Sequence, residues 1–369
     1  MKGKISKKRV LVAMSGGVDS SVAAALLVRS GKYDVTGAFM VNYDVEKTTG
    51  GSCWLPDYRD ALRVAAALGI PCLKFNFTAE YQKFVLEHVY REYEKGRTPN
   101  PDILCNKFVK FGSWLEKAEQ LGFDFLATGH YARIGEVKSK KFKMKRYELL
   151  MAKDANKDQT YFLNQLNQKQ LARTLFPLGN LTKPEVRRLA KKFALPTAYK
   201  EESMGICFVG EVPMKEFLAG KIQTQPGNVV TTKGEIVARH EGLAFYTIGQ
   251  RHLGIRNQES GIRNDKKALY VVAKHFAANE LVVGDEDNPL LYSKEIKVTG
   301  INWISGQEPK FPLKCQVRLR HRQPLVKCEV RGEKGQNLVR FNTPERAVTA
   351  GQFAVFYKNG ECLGGGEIV

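Results

Sequence analysis

The first apolar run, Val10-Leu11-Val12-Ala13, is short and unbroken, the pattern of a strand buried on both faces. Residues 22–28 are all alanine, valine or leucine and predict a helix packed on that strand. A second strand is expected at 34–41, then a polar loop at 42–55 and a helix at 57–68, where apolar residues recur at helical spacing. Further along, the pattern predicts a strand at 71–77, a helix at 79–94, a helix at 110–121 and a strand at 123–127. Strands alternating with helices imply an α/β fold built on a doubly wound parallel sheet. From Pro226-Gly227 the pattern changes, and β-branched residues recur between glycine turns. From residue 296 to the end, short strands with turn signals predict a small β-barrel. The expectation is therefore three units: an α/β domain over 1–215, a small, mostly-β central domain over 216–290, and a C-terminal β-barrel over 291–369.

A chain of 369 residues can bury several cores. No run of about eighteen apolar residues occurs, so no membrane span is expected. The basic N-terminus lacks the apolar stretch of a secretory signal. Net charge is +20, which favours a polyanionic partner, nucleic acid over an anionic membrane because no surface-binding amphipathic helix is present; the alternative is a lysine-rich solubilising surface. Two stretches concentrate the charge. Residues 138–146 carry six basic side chains and predict a hairpin tip, either simply solvated or touching an RNA backbone. Arg318, Arg320 and Arg322 alternate, and on a strand they would share one face and grip phosphates. Seven scattered cysteines with no C-x-x-C pair argue against zinc, so no metal ligands are assigned. They fit free thiols in a reducing cytoplasm.

The chemistry begins at Ser15-Gly16-Gly17-Val18-Asp19-Ser20-Ser21, between the first strand and the first helix. A glycine pair lets the backbone approach a ligand, and the helix start offers N–H groups and a positive dipole end to an anion. Serine hydroxyls add donors, and Asp19 adds a carboxylate suited to a metal that accompanies phosphates. This is not a Walker loop, because no Gly-Lys-Ser/Thr follows. A nucleophile elbow with Ser15 as a hydrolase nucleophile is a nearer alternative. Ligands of such sheets bind at the carboxyl ends of the strands, which sets this loop, Met40 and Gly129 on one rim.

A second segment, 96–106, holds Pro99 and Pro101, which are expected to keep it out of a helix and to stiffen it as a loop. It delivers Cys105, beside the polar Asp102 and Asn106, towards a helix start that favours thiolate, the alternative being a buried structural cysteine. Thr182-Lys183-Pro184-Glu185 is a capping box that predicts a helix running to Lys192. Cys207 sits in a short apolar stretch and on these grounds alone is a core cysteine.

Several motifs together resemble the tRNA-specific 2-thiouridylase family. They are Ser15 to Ser20, which matches the S-G-G-x-D-S of ATP pyrophosphatases, the segment 96–106, the stretch Ala127-Thr128-Gly129-His130-Tyr131-Ala132-Arg133, the tripeptide Lys157-Asp158-Gln159, the stretch Ser203 to Val209, the stretch 240–251, and the closing Gly351-Gln352-Phe353. The resemblance spans nearly the whole chain. It implies an adenine nucleotide alpha hydrolase-like first domain and ATP-dependent 2-thiolation of the wobble uridine of tRNA. ATP and Mg2+ are the implied cofactors, with the nucleotide held at Ala13, Met14, Ser15, Gly16, Gly17, Val18, Asp19, Ser20, Met40 and Gly129. Cys207 is implied to carry a persulfide and Cys105 to be the second reactive thiol, with Asp102 as acid/base. A Cys105–Cys207 disulfide would be left after turnover. Asn100, Pro101, Asp102, His130, Lys157, Asp158, Gln159, Arg320, His321 and Gln352 fall at implied tRNA contacts. The family has tyrosine where His321 stands. Its substrates are the tRNAs for Lys, Glu and Gln, and its sulfur comes from a cysteine desulfurase or a relay protein. A glutamine-fed synthetase of the same loop class would need a glutaminase domain, and no such domain is visible in the sequence.

Overall fold

A computed structural model describes residues 7–44, 46–47, 51–138, 145–201, 217–218, 220–251, 253, 268–333 and 335–369. Cys207, with the rest of 202–216, and the basic tip at 139–144 lie outside the described residues.

The first apolar run forms β1 (Lys8–Ala13), followed by α1 (Val18–Arg29), β2 (Tyr33–Val41), α2 (Leu55–Leu68) and β3 (Cys72–Asn76). Helix α3 covers 78–94 and α4 covers 101–120, each interrupted by a π-helical stretch, and β4 (Phe125–Ala127) comes next. After a hairpin, β5 (Arg133–Lys138) and β6 (Lys145–Leu150), the short β7 (Thr174–Leu175) and the helix α5 (Lys183–Lys192) complete this part. The parallel sheet runs β3-β2-β1-β4-β7. Val10, Leu11 and Val12 are fully buried at its centre, as an unbroken apolar strand with helices on both faces requires. The chain leaves β1 towards β2 and β3, then crosses to the other side at β4. The topological switch point therefore lies between β1 and β4.

A four-stranded sheet follows, made of β8 (Gly227–Thr231), β9 (Ile236–His240), β10 (Tyr270–His275) and β11 (Glu280–Gly284) in the order β9-β8-β11-β10. The last part contains β12 (Tyr292–Trp303), β13 (Leu313–Arg318), β14 (Val326–Glu333), β15 (Gln336–Arg346), β16 (Phe353–Lys358) and β17 (Glu361–Ile368). These pair in the order β12-β15-β14-β13-β16-β17, and a β12–β17 pairing closes them into a six-stranded barrel. Inward residues such as Val317, Val330, Val339 and Phe356 fill it. The hairpin β5–β6 pairs with β17, with Cys362 opposite Leu149. The first part of the chain thus extends the barrel's own sheet, a connection that local patterning does not reveal.

Two expectations are corrected. Residues 101–106 are helix, not loop: α4 begins at Pro101 and continues to Gln120. Proline is tolerated in the first turn, where its missing N–H has no intrahelical acceptor. Asn100 caps the helix by accepting from Ile103 N at 3.2 Å. The arginines at 318, 320 and 322 do not share a strand face. Strand β13 ends at Arg318, and the chain turns through 319–322, with Arg322 at a positive φ of 66°. The capping box at Thr182 is formed as expected, with Glu185 and Thr182 bonding each other's backbone N–H.

Candidate active site

The loop after β1 folds around its own serines. Ser20 Oγ accepts from Ser15 N at 3.2 Å and donates to Gly17 O at 3.0 Å, while Ser21 Oγ donates to Gly17 O at 2.7 Å. Gly16 has φ +74°, and a Cβ there would meet Asp57 O at 2.2 Å, so only glycine fits. Gly17 is the N-cap of α1 and supplies no side-chain cap, which leaves the helix start to a ligand. Gly129, after β4, packs on this turn so closely that a Cβ would lie 2.8 Å from Ser20 N. Ser15, Gly17, Ser20 and Gly129 therefore meet at the switch point. Met14 and Met40 are buried, and Met14 N–H donates to Ala38 O at 2.8 Å.

Asp19 is held from two sides. Lys183 Nζ donates to its two oxygens at 2.7 and 2.8 Å, and Tyr131 OH donates to Oδ1 at 2.9 Å. Neither Lys183 nor Tyr131 was singled out from the sequence. Lys183 lay inside the capping box, where its position marks a helix start and says nothing of where its ammonium reaches. Lys200, just before the undescribed segment, is tied by 2.7 Å contacts to Asp57 and Asp60 of α2.

Cys105 stands on the first turns of α4 and is 1% exposed. It begins the π-helical stretch Cys105–Ser113, a distortion often found at functional sites. Asn42, just past the end of β2, donates to its Sγ at 3.8 Å. Because β2 neighbours β1, Cys105 and the serine loop occupy adjacent strand ends of one rim. Three acceptor atoms here are buried with no hydrogen-bond partner among the described residues: Asn42 Oδ1, Asp102 Oδ1 and Asn106 Oδ1. Orphaned buried acceptors are costly, and each of these can still accept a hydrogen bond. Asn42 could have been found from its place after a strand of the parallel sheet.

The other sequence-assigned residues have definite partners within the fold. Asn100 caps α4, and Pro101 is its first residue. His130 packs between Phe111 and Phe176, with Nδ1 at 2.7 Å from Thr128 Oγ1, and burial pushes its imidazole well below the usual range. Asp158 is buried, accepting from Ala152 N, Thr160 Oγ1 and Arg318 Nη1. Lys157 precedes it, half-buried. Gln159 Oε1 accepts from Tyr131 N. Arg318 is thus an internal counter-ion, its side chain 7% exposed, which removes it from any phosphate-gripping face. Arg320 reaches Ile248 O, Ala347 O and Thr349 Oγ1 at 2.6–3.0 Å, tying the middle sheet's flank to the barrel. His321 lies on Phe162, centroids 4.4 Å apart, and burial lowers its pKa. Gln352 bonds the segment before α4. Arg322 is exposed.

A glycine turn at the switch point of a parallel sheet, with a helix start behind it, defines the class: an α/β protein with a doubly wound parallel sheet. Three family models match successive parts of the chain. They are described as tRNA methyl transferase HUP domain over residues 8–211, tRNA methyl transferase PRC-barrel domain over 215–285, and Aminomethyltransferase beta-barrel domain over 293–368. The chain is 47% identical to tRNA-specific 2-thiouridylase MnmA 2 of Geobacillus kaustophilus (strain HTA426), over 98% of this chain and 94% of that protein. It is 46% identical to tRNA-specific 2-thiouridylase MnmA of Streptococcus sanguinis (strain SK36), over 98% of this chain and 95% of that protein. The chain belongs to the tRNA-specific 2-thiouridylase family. Among the described residues, no helix is long and apolar enough to cross a membrane.

Proposed function

We propose that this chain is a tRNA-uridine 2-sulfurtransferase. It replaces the C2 oxygen of the wobble uridine with sulfur, consuming ATP and giving AMP and pyrophosphate. The observation that carries the reading is the meeting, on one rim, of an anion-receptive loop and a buried cysteine that Asn42 contacts from the end of β2. The name carried by relatives matched along the whole chain supports thiolation over the methyl transfer named in two of the domain descriptions.

The C2 oxygen of a uridine is a poor leaving group. Adenylation by ATP converts it to one, and the helix start behind Gly17 receives the anionic phosphates. Ser15 and Ser20 supply hydroxyl donors, and Lys183 offsets charge that develops on the leaving pyrophosphate. Asp19 and the serines are hard oxygen donors and fit Mg2+, which binds through one or two carboxylates plus phosphates. When bound, the ion would neutralise phosphate charge. Sulfur arrives as a nucleophile from a persulfide on Cys207, supplied by a cysteine desulfurase or relay protein. Cys105, as thiolate, attacks Cys207 Sγ, the bond to the outer sulfur breaks, and that sulfur leaves as hydrosulfide, adds to the adenylated C2 and expels AMP. If Cys105 attacks the activated base first, AMP leaves at that step, the persulfide's outer sulfur displaces Cys105 from C2, and Cys105 then takes Cys207 Sγ to free the 2-thiouridine. Either way a Cys105–Cys207 disulfide remains and must be reduced. Asp102 is the acid/base, its Oδ1 buried with no hydrogen-bond partner among the described residues. tRNAs for Lys, Glu and Gln are the substrates proposed, in a reducing cytoplasm. Of the arginines near His321, the exposed Arg322 is assigned to the RNA backbone.

The test is Asp19→Ala with release of AMP and pyrophosphate as the readout. The variant is expected to lose release while keeping tRNA affinity, because the basic surface is untouched. Normal release would contradict the assignment of the loop.

A further inference from the structure

The short stretch 195–200, which follows α5, packs behind the serine loop from two directions. Leu195 and Ala198 are buried in one apolar cluster with Val18 and Val22 of α1. Between them the buried Thr197 donates from Oγ1 to Ser21 Oγ at 2.9 Å. Ser21 has a single hydroxyl proton and gives it to Gly17 O, so its oxygen is left to accept from Thr197. Thr197 thus sets the direction of a hydroxyl relay that ends on the N-cap carbonyl of α1. Ser21 N donates to that same carbonyl at 3.2 Å and holds it along the helix. In a trans peptide the carbonyl and the following N–H point opposite ways. A Gly17 carbonyl fixed in this direction turns Val18 N–H towards the open helix start, where an anion is received.

Lys200 acts on the other side of the loop. Its N–H donates to Thr197 O at 3.0 Å, and its carbonyl accepts from Arg187 of α5. Its ammonium reaches Asp57 Oδ1 and Asp60 Oδ2, each at 2.7 Å, near the start of α2. The Asp57 main chain is the wall against which Gly16 lies, since a Cβ on Gly16 would meet Asp57 O. One stretch therefore bears on both glycines of the loop: on Gly17 through Thr197 and Ser21, and on Gly16 through Lys200 and Asp57.

We propose that Thr197 and Lys200 are positioning residues for the nucleotide loop: they hold its two glycines from behind, so that its N–H groups and hydroxyls are set for phosphate before ATP arrives. The inference rests on the reading that this loop receives the phosphates of ATP. Thr197 is buried behind Ser21 and the Lys200 ammonium is held on α2, so both act through the loop. Their loss falls on ATP use and not on tRNA affinity.

The experiment compares wild type with Thr197→Val, which keeps the shape and loses the hydroxyl, and with Thr197→Ser, which keeps the hydroxyl. Lys200→Met removes the ammonium, and Lys200→Arg returns a cation to Asp57 and Asp60. Four quantities are read on the full chain, well below its Tm: KM for ATP and kcat from pyrophosphate release with tRNA present, the ratio of 2-thiouridine formed to AMP released, tRNA Kd, and hydrogen exchange of the backbone amides at 15–21. For Thr197→Val the expected result is a KM for ATP raised about tenfold, the scale of one buried hydrogen bond, a lower kcat and faster exchange in the loop. The product ratio and tRNA Kd stay at wild-type values, and Thr197→Ser recovers the rest. Lys200→Met is expected to move KM, kcat and loop exchange in the same direction, with recovery in Lys200→Arg, and it carries the test if Thr197→Val does not fold. A lower Tm with KM, kcat and exchange unchanged would reduce both residues to packing and overturn the proposal. Pyrophosphate release left intact while 2-thiouridine alone is lost would also overturn it, by moving their role to the chain that runs on from Lys200 to Cys207. Loop exchange does not depend on what the loop binds. If Asp19→Ala releases pyrophosphate normally, the nucleotide reading fails, while the exchange rate still decides whether Thr197 holds the loop.

Discussion

Arg318 offers a sharp test of how the barrel is built, because its charge invites an RNA role and its position denies one. Its Nη1 lies 3.0 Å from Asp158 Oδ2, and the two side chains are 7% and 0% exposed. Its guanidinium also sits 5.4 Å from the Tyr357 ring centroid. Arg318→Met keeps much of the packing volume but leaves the Asp158 carboxylate buried without its cation. Thr160 Oγ1 and Ala152 N still donate to it. Breaking one side of a buried ion pair costs about 3–5 kcal/mol, enough to lower Tm on the order of 10 °C for a chain of this kind. The double variant Asp158→Asn/Arg318→Met removes both charges and is expected to recover most of the loss, since a buried pair adds little over a neutral replacement. Thermal melts of the two single variants and the double variant close the cycle. The slope of log tRNA affinity against log salt, measured below the melting range, is expected to stay at the wild-type value. A Tm unchanged in Arg318→Met, with a slope flattened by about one unit, would refute the reasoning and return this arginine to the RNA surface.

Arg322→Ala is the counterpart: it should flatten that slope by about one unit and leave Tm alone, and the reverse pattern would remove it from the interface. Gly129→Ala should cut ATP-dependent turnover and raise the KM for ATP, because its methyl meets the backbone at Ser20; an unaltered KM would show that the turn can give way. Burial holds the Lys274 ammonium down to about 8. Between that value and the ordinary lysine range the unfolded chain binds more protons than the folded one, so stability rises with pH across the window, by up to about 3 kcal/mol. The stability of wild type relative to Lys274→Met should therefore climb from pH 8 towards pH 10, and a flat difference contradicts the burial. Cys315 and Cys328 lie opposite each other on β13 and β14, 3.6 Å apart at sulfur, remote in the fold from the serine loop. Serine at either position should leave thiolation intact, with loss of stability only.

The alternating first part was legible because each strand and helix carries its own local period, and the glycine turn after β1 announces its geometry in its residues. The barrel was legible as a class from its turns. Its closure through β12–β17 was not, nor was the addition of the β5–β6 hairpin to β17, because pairings over such distances leave no trace in local pattern. Pro101 misled, because proline breaks a helix interior yet opens a first turn equally well, whereas Pro99 stays outside the helix as expected. The arginines misled for a related reason: alternation gives a shared face only while the strand lasts, and β13 stops at Arg318. Lys183 and Tyr131 entered the site through side chains that cross from other elements, and their neighbours in sequence say nothing of that reach, whereas Asn42 had a signal in its place after a strand of the parallel sheet.

The central claim is tested most directly by mass spectrometry of nucleosides from a tRNA transcript incubated with the purified chain, ATP and a persulfide source. Wild type should convert the wobble uridine to 2-thiouridine with release of AMP and pyrophosphate, and Cys105→Ser should leave that uridine unmodified. A methylated nucleoside, an untouched wobble uridine with wild type, or full 2-thiouridine yield from Cys105→Ser would contradict the account.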